Sequence, residues 1–190
     1  MRIYRSARNR GFIVLVLGLL VLGPLGVSAG ETLDYSALEP VRFRLDRDLA
    51  DMRRAVWVHS GSLAAGVVAP IFIWPIGTLI AADMAIEAGE SYRRNVAGAL
   101  GVSPLPSLKG ARTWQTAGAV GYIVGTVSLG ALATMALAQS GGGSDLDLPI
   151  AISAISMGSG YVLGITGTTV ATWRARNTTV RFDRGLSAAR

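Results

Sequence analysis

The sequence predicts an all-α membrane protein, in which a cleavable N-terminal signal peptide precedes a three-helix transmembrane bundle. Of its 190 residues, 51% are hydrophobic and only 16% are charged, whereas a soluble domain has about 25% charged residues. Three stretches contain no Asp, Glu, Lys or Arg: 55–82, 113–144 and 148–173. Each is longer than the roughly 20 residues that cross the hydrocarbon core as a helix. The run 117–137 does not alternate apolar and polar residues, which argues against a transmembrane barrel.

The composition also excludes several classes of protein. The hydrophobic content is too high for a disordered chain, and the absence of cysteine excludes a disulfide scaffold and a cysteine-ligated metal site. The net charge of +6 is a weak indication of nucleic-acid binding, because no nucleic-acid motif occurs and the arginines cluster beside apolar stretches, as in membrane proteins. We therefore expect the lipid bilayer as a partner, no nucleic acid and no cofactor.

Residues 1–29 have the order of a secretory signal peptide. A basic segment (1–10) precedes an apolar core (12–22) and the small residues that end at Ala29. This order predicts cleavage between Ala29 and Gly30. The alternative is an uncleaved anchor helix, which gives a four-helix bundle instead of three.

Residues 30–54 are the most polar part of the chain, and we expect them to be an extracytoplasmic segment with an amphipathic helix. Val41, Phe43 and Leu45 alternate as in a short strand, and helical spacing of the apolar residues begins near Asp46. The mixture of acids and arginines in this helix is typical of a solvated face.

The first transmembrane helix is predicted over residues 55–86, with kinks at Pro70 and Pro75. Proline removes a helical hydrogen bond, but membrane-spanning helices tolerate it. The alternative for this stretch is a re-entrant hairpin that turns near residues 69–75.

The distribution of arginine and lysine predicts how the remaining segments are arranged across a bacterial cytoplasmic (inner) membrane. By the positive-inside rule, the mature N-terminus is outside and the C-terminus is cytoplasmic. The segments that follow the first helix are then a cytoplasmic loop (87–112), a second transmembrane helix (113–138), an extracytoplasmic Gly-rich loop (139–147), a third transmembrane helix (148–173) and a cytoplasmic Arg-rich tail (174–190).

Small residues recur every four positions in the second and third predicted helices, in the manner of a glycine zipper. Such spacing places them on one helix face, where another backbone can approach closely. One interpretation is packing of these two helices within the chain. The other is association with a membrane-protein partner or a second copy of the chain. The helix-packing residues are Ala117, Gly121, Gly125, Ser156, Gly160, Gly164, Thr168 and Thr172.

Asp83, Glu87 and Glu90 share one face of the first predicted helix. Acidic residues inside a membrane are costly and often functional, so a possible ion path is one interpretation. The other is a helix that emerges into water. His59 is the only histidine, and one histidine without cysteine does not make a typical zinc site.

These patterns predict a non-enzymatic structural or accessory subunit of a bacterial membrane assembly, held together by small-residue helix packing. The alternative is an oligomeric channel or transporter component with the acidic residues at its cytoplasmic mouth. An enzyme is not expected, because the sequence contains none of the common nucleophile, metallohydrolase, P-loop or dinucleotide motifs, and the apolar stretches lack a nucleophile–base or metal constellation.

Overall fold

The computed structural model describes residues 35–68, 70–102, 107–140 and 147–188, and this part of the chain is all-α, as predicted. The predicted signal peptide, with its cleavage position at Ala29 and Gly30, lies outside the described residues. The elements in chain order are a 3-10 helix (Tyr35–Val41), α1 (Arg42–Ala65), α2 (Pro70–Leu100), α3 (Lys109–Ser140) and α4 (Asp147–Ala188).

Helix α1 begins four residues before its predicted start, and the short strand expected near residue 43 is wrong. Leu45 and Met52 lie one above the other on the same helical face, and both are buried with Ala55. Phe43 lies on the exposed side of the same helix. Burial of this apolar face gives the segment a helical rather than an extended conformation.

The single kinked helix predicted over residues 55–86 is wrong, because the chain turns at residues 66–68 and then starts a new helix at Pro70. Proline suits the first position of a helix, where its missing N–H has no helical partner to lose. Gly66 leaves room for the Trp74 indole, which would collide with any side chain at that position. The indole Nε1 also donates a hydrogen bond to the Leu63 carbonyl oxygen at 3.1 Å.

Helices α1 and α2 form an antiparallel hairpin. The Asn95 amide donates to the Asp48 carboxylate at 2.9 Å near the open end, and Gly77 lies against Ser62 near the turn. The hairpin places residues 42–54 beside the second half of α2. The prediction that the segments 30–54 and 87–112 lie on opposite sides of a membrane is therefore wrong for their described residues.

Helices α3 and α4 form a second antiparallel hairpin, and both are long and apolar enough to cross a membrane. Helix α4 does not end at Trp173, because the predicted Arg-rich tail continues it as far as Ala188. The tail buries Thr179 and Leu186, and such tertiary packing stabilises a helix that local propensity alone would not.

Helix α2 is central and runs parallel to α4. Near the turn, the Trp74 and Tyr161 rings meet edge-on with their centroids 6.4 Å apart, and at the other end the Tyr92 hydroxyl donates to Asp183 at 2.6 Å. Two apolar clusters join the helices. One is built mainly from alanines (Ala55, Ala82, Ala85, Ile86, Leu108, Ala111, Ala171, Ala175), and the other surrounds Tyr92 (Leu38, Leu45, Val96, Leu186).

Positive charge is confined to one end of the two hairpins in the part of the chain that the structure describes. Every described lysine and arginine lies in residues 42–54 of α1, the second half of α2, the first turn of α3 or the last 15 residues of α4. The antiparallel and parallel pairings bring these four segments together. We call this region the charged end, and it comprises residues 42–54, 83–100, 107–112 and 174–187.

The hairpin of α1 and α2 can be tested with a disulfide, because the chain has no native cysteine. In Ser62→Cys/Gly77→Cys the two side chains face each other, and mild oxidation should form an intramolecular disulfide. In one continuous helix, positions 15 residues apart would be about 22 Å apart. A gel-shift assay with a polymer-linked maleimide measures the loss of free thiols.

The matched control is Ser62→Cys/Gly98→Cys, because Gly98 faces open space in the part of α2 farthest from Ser62. This pair should keep both thiols free. Equal oxidation of the two pairs, or none in either, would contradict the hairpin.

Candidate functional site

The small residues predicted to pack helices meet within one chain. A Cβ atom added at Gly121 would lie 2.5 Å from the Gly164 backbone nitrogen and 2.7 Å from the Gly160 carbonyl oxygen. Real Cβ atoms do not approach backbone atoms this closely, so only glycine fits at the contact. The two helix backbones are thus in direct contact. This contact stabilises the hairpin through close van der Waals packing between the helices.

Most of the eight predicted packing residues lie at this α3–α4 contact. Gly125 faces Gly160 and Tyr161, and Thr168 lies against Gly118. Thr172 is buried one turn further along α4, where its hydroxyl donates to the Thr168 carbonyl oxygen. Ala117 and Ser156 are only half-buried.

Sequence reasoning missed two residues of the contact, Gly118 and Gly167. The glycine at 167 lies against the backbone of Gly118 and Trp114. Both were overlooked because the prediction followed a strict four-residue spacing, whereas a helix of 3.6 residues per turn alternates steps of three and four.

Two hydrogen bonds between polar side chains inside the bundle join one hairpin to the other. His59 Nε2 bonds with the Thr169 hydroxyl at 2.9 Å and links α1 to α4. The Thr78 hydroxyl bonds with the Tyr122 hydroxyl at 2.8 Å and links α2 to α3. His59 is only 3% exposed, so its ring is enclosed between helices. Its role here is to connect helices.

The three acidic residues of the predicted ion path lie on the outer face of α2 at the charged end. Asp83 accepts a hydrogen bond from the Gln115 amide at 3.1 Å. Glu90 accepts two from the Arg112 guanidinium, each at 2.9 Å. Glu87 lies between them in sequence and is exposed. Asp83 and Glu90 thus tie α2 to α3.

The Glu90–Arg112 pair has the fork geometry that makes carboxylate–guanidinium contacts specific. The hydrogen bonds from Arg112 lower the pKa of the Glu90 carboxyl below its ordinary value. Glu90 is therefore ionised throughout the neutral range. Because the pair is partly exposed, solvent screens it, and its main effect is to fix the distance between the two helices.

A groove of about 890 Å³ lies at the charged end between α1 and α2. It is lined by both signs of charge, and Met84 and Ala88 contribute apolar surface. The charged lining residues are four arginines (Arg44, Arg47, Arg94, Arg112) and four acids (Asp48, Asp51, Glu87, Glu90). The charges of this lining therefore balance.

Comparison with protein-family models, curated proteins and solved structures finds no match for this chain. Among the described residues, no group of three or more His, Asp or Glu side chains could hold a metal ion.

The glycine contact predicts a position-specific effect of bulk on stability. In Gly160→Leu the new side chain meets backbone atoms of α3, which cannot move aside as a side chain can, and we expect unfolding to become easier by about 3 kcal/mol. Thermal unfolding of the detergent-solubilised protein, followed by circular dichroism, measures this loss.

Gly158→Leu is the matched control, since Gly158 lies in the same helix and faces open space. It should leave the unfolding transition almost unchanged. A similar loss in both variants would show that helical bulk in general, and not the α3–α4 contact, determines the effect.

Proposed function

We propose that the protein is an integral protein of the bacterial cytoplasmic membrane and acts there as a non-enzymatic structural or accessory subunit of a membrane assembly. The observation that supports this proposal is the separation of the basic residues from the apolar surface in the folded chain. The basic residues meet at one end, and the helices that extend from it have apolar outer surfaces. Such a surface suits lipid or the helices of a partner, because water solvates it poorly.

The apolar surface covers both helices of the α3–α4 hairpin. Large hydrophobic side chains point outward along their length, including Ile123 and Val127 of α3 and Ile155 and Val162 of α4. All backbone hydrogen bonds in such a helix are made within the segment, as a bilayer requires. In this proposal α3 and α4 cross the membrane.

The α1–α2 hairpin then enters the membrane without crossing it. Its turn lies beside Tyr161, which also contacts Gly125 of α3. Gly125 is 13 residues, or about 20 Å of helix, from Arg112 at the charged end, while the hydrocarbon core is about 30 Å thick. This depth favours the re-entrant hairpin. Non-helical backbone at such a depth is tolerated where protein covers it, and Trp74 covers the turn at Gly66.

The positive-inside rule places the charged end in the cytoplasm. The predicted Gly-rich loop is then extracytoplasmic, and the C-terminal end of α4 is cytoplasmic, as expected from the sequence. The first half of α1 becomes cytoplasmic too. Cleavage between Ala29 and Gly30 would leave only about a dozen residues, three of them acidic, before Arg42. That segment is too short and polar to cross a membrane, so cleavage and this orientation exclude each other.

The surface available to a partner is the outer half of the α3–α4 hairpin. The small-residue faces are used inside the chain and are not available. Beyond the re-entrant turn, α3 and α4 extend for about four more turns, and side chains such as Leu137, Leu148 and Ile152 are exposed there. We assign the contact with a membrane-protein partner or a second copy to this half.

Orientation is tested by cysteine labelling in intact cells with a membrane-impermeant maleimide. Single-cysteine variants Arg53→Cys and Ser187→Cys probe the charged end, and Gln139→Cys probes the opposite end of α3. We expect labelling of Gln139→Cys alone until the membrane is permeabilised, because of the three positions only residue 139 lies on the extracytoplasmic side in this proposal.

The three variants distinguish the possible failures. If Arg53→Cys and Ser187→Cys are both labelled in intact cells, the orientation is reversed, and the signal peptide is free to be cleaved. If those two variants differ from each other, the hairpin is not re-entrant.

The subunit role is tested by the mass of the solubilised protein. Extracted from its native membrane in a mild detergent, the tagged chain should elute with a second polypeptide in a fixed ratio or as a multiple of its own 19.8 kDa. Light scattering with correction for bound detergent gives the polypeptide mass. A value of one chain alone would contradict the role.

A further inference from the structure

Helix α2 has one face that the other described helices leave uncovered. Helix α1 packs on one side of it, α4 on its back and α3 on the other side, and no contact joins α1 to α3 within the described residues. The uncovered face forms a strip along the gap between α1 and α3. We call this strip the α2 slot, and its residues are Ile76, Ile80, Asp83, Glu87 and Arg94, all of them exposed.

The α2 slot changes from apolar to charged along its length. Ile76 and Ile80 are 60% and 50% exposed and lie nearest the turn. Glu87 and Arg94 lie at the other end, where the slot opens into the charged groove. From Ile76 to Arg94 the slot is 18 residues long, about 27 Å of helix. That length suits one acyl chain of a single leaflet, which is about 15 Å deep, together with its headgroup.

The groove keeps charges of both signs available for a ligand. Arg112 is held by Glu90, Asp51 lies close to Arg47 and Arg54, and Asp48 accepts a hydrogen bond from Asn95. Most charged residues of the lining are therefore already paired within the protein and are not available to a ligand.

Three charged groups of the groove are left without such a contact. Arg44, Arg94 and Glu87 make no salt bridge or side-chain hydrogen bond to any described residue. A ligand that pairs with both arginines and with the glutamate must carry a negative group and a positive group close together.

We propose that the α2 slot binds one molecule of phosphatidylethanolamine, with its phosphate on Arg44 and Arg94 and its ammonium group on Glu87. An acyl chain lies along Ile76 and Ile80. The ammonium group donates hydrogen bonds to a carboxylate, which the quaternary amine of phosphatidylcholine cannot do, and the anionic phosphatidylglycerol has no cation for Glu87. This inference rests on the proposed membrane insertion, which places the charged groove at the level of the lipid headgroups.

The test is a lipid titration of the delipidated, detergent-solubilised protein, followed by native mass spectrometry. Phosphatidylethanolamine, phosphatidylcholine and phosphatidylglycerol with identical acyl chains are compared. The wild-type chain should bind phosphatidylethanolamine about tenfold more tightly than either other lipid, the factor expected for one charge-assisted contact.

Two variants test the phosphate contact and the ammonium contact separately. Arg94→Gln should weaken all three phospholipids about tenfold, because each carries the phosphate. Glu87→Gln should remove the preference for phosphatidylethanolamine and leave phosphatidylglycerol binding unchanged. Arg53→Gln is the charge-matched control, since Arg53 is exposed and does not line the groove, and it should bind lipids as the wild type does.

Equal affinity for the three lipids in the wild type, or a preference for phosphatidylglycerol, overturns the proposal. Wild-type lipid binding in both Arg94→Gln and Glu87→Gln also overturns it, as does an equal loss in the Arg53→Gln control. Failure of membrane insertion is distinguishable, because it would appear as extraction of the chain by alkaline carbonate before any lipid is added.

Discussion

The direct contact between the α3 and α4 backbones at Gly121 and Gly160 is the constraint on which the rest of the structure depends. Because the two helices approach without intervening side chains, the Tyr122 ring lies over Gly164, where any Cβ atom would meet its edge. The ring position brings the Tyr122 hydroxyl to Thr78 and so positions α2. A larger residue at the contact would therefore displace more than one pair of helices, and the second hairpin would lose its attachment.

The attachment of the second hairpin combines two kinds of interaction at two depths. Toward the turn, hydrogen bonds of His59 and Thr78 join the hairpins in surroundings with few competing polar groups, where such bonds contribute about 1 kcal/mol each. At the charged end, Glu90 and Arg112 make a solvent-screened pair. The first set keeps the short hairpin beside the long one. The second fixes the distance between α2 and α3 at the charged end.

Some of this arrangement could be predicted from local sequence. The charge-free runs identified α3 and α4, and the spacing of Gly121, Gly125, Gly160 and Gly164 identified their contact, because both signals lie within one helix. The turn near Gly66 could not be predicted in this way, since it depends on the Trp74 side chain that fills the space left by the glycine. The pairs Thr78–Tyr122 and Tyr92–Asp183 join residues 44 and 91 positions apart. No local pattern indicates such partners, and for the same reason the helical continuation after Trp173 was missed.

The unbroken length of α4 has a mechanical consequence. Its 42 residues form a rod about 63 Å long, roughly twice the thickness of the hydrocarbon core. Proline occurs only at its third position, Pro149, so no proline kink interrupts the rest of the helix. If the Asp147 end of α4 tilts, a straight helix transmits the movement to Asp183 and Leu186. Both of these residues contact Tyr92. Movement at the Asp147 end of α4 therefore reaches the Tyr92 cluster at the charged end without any change in the fold.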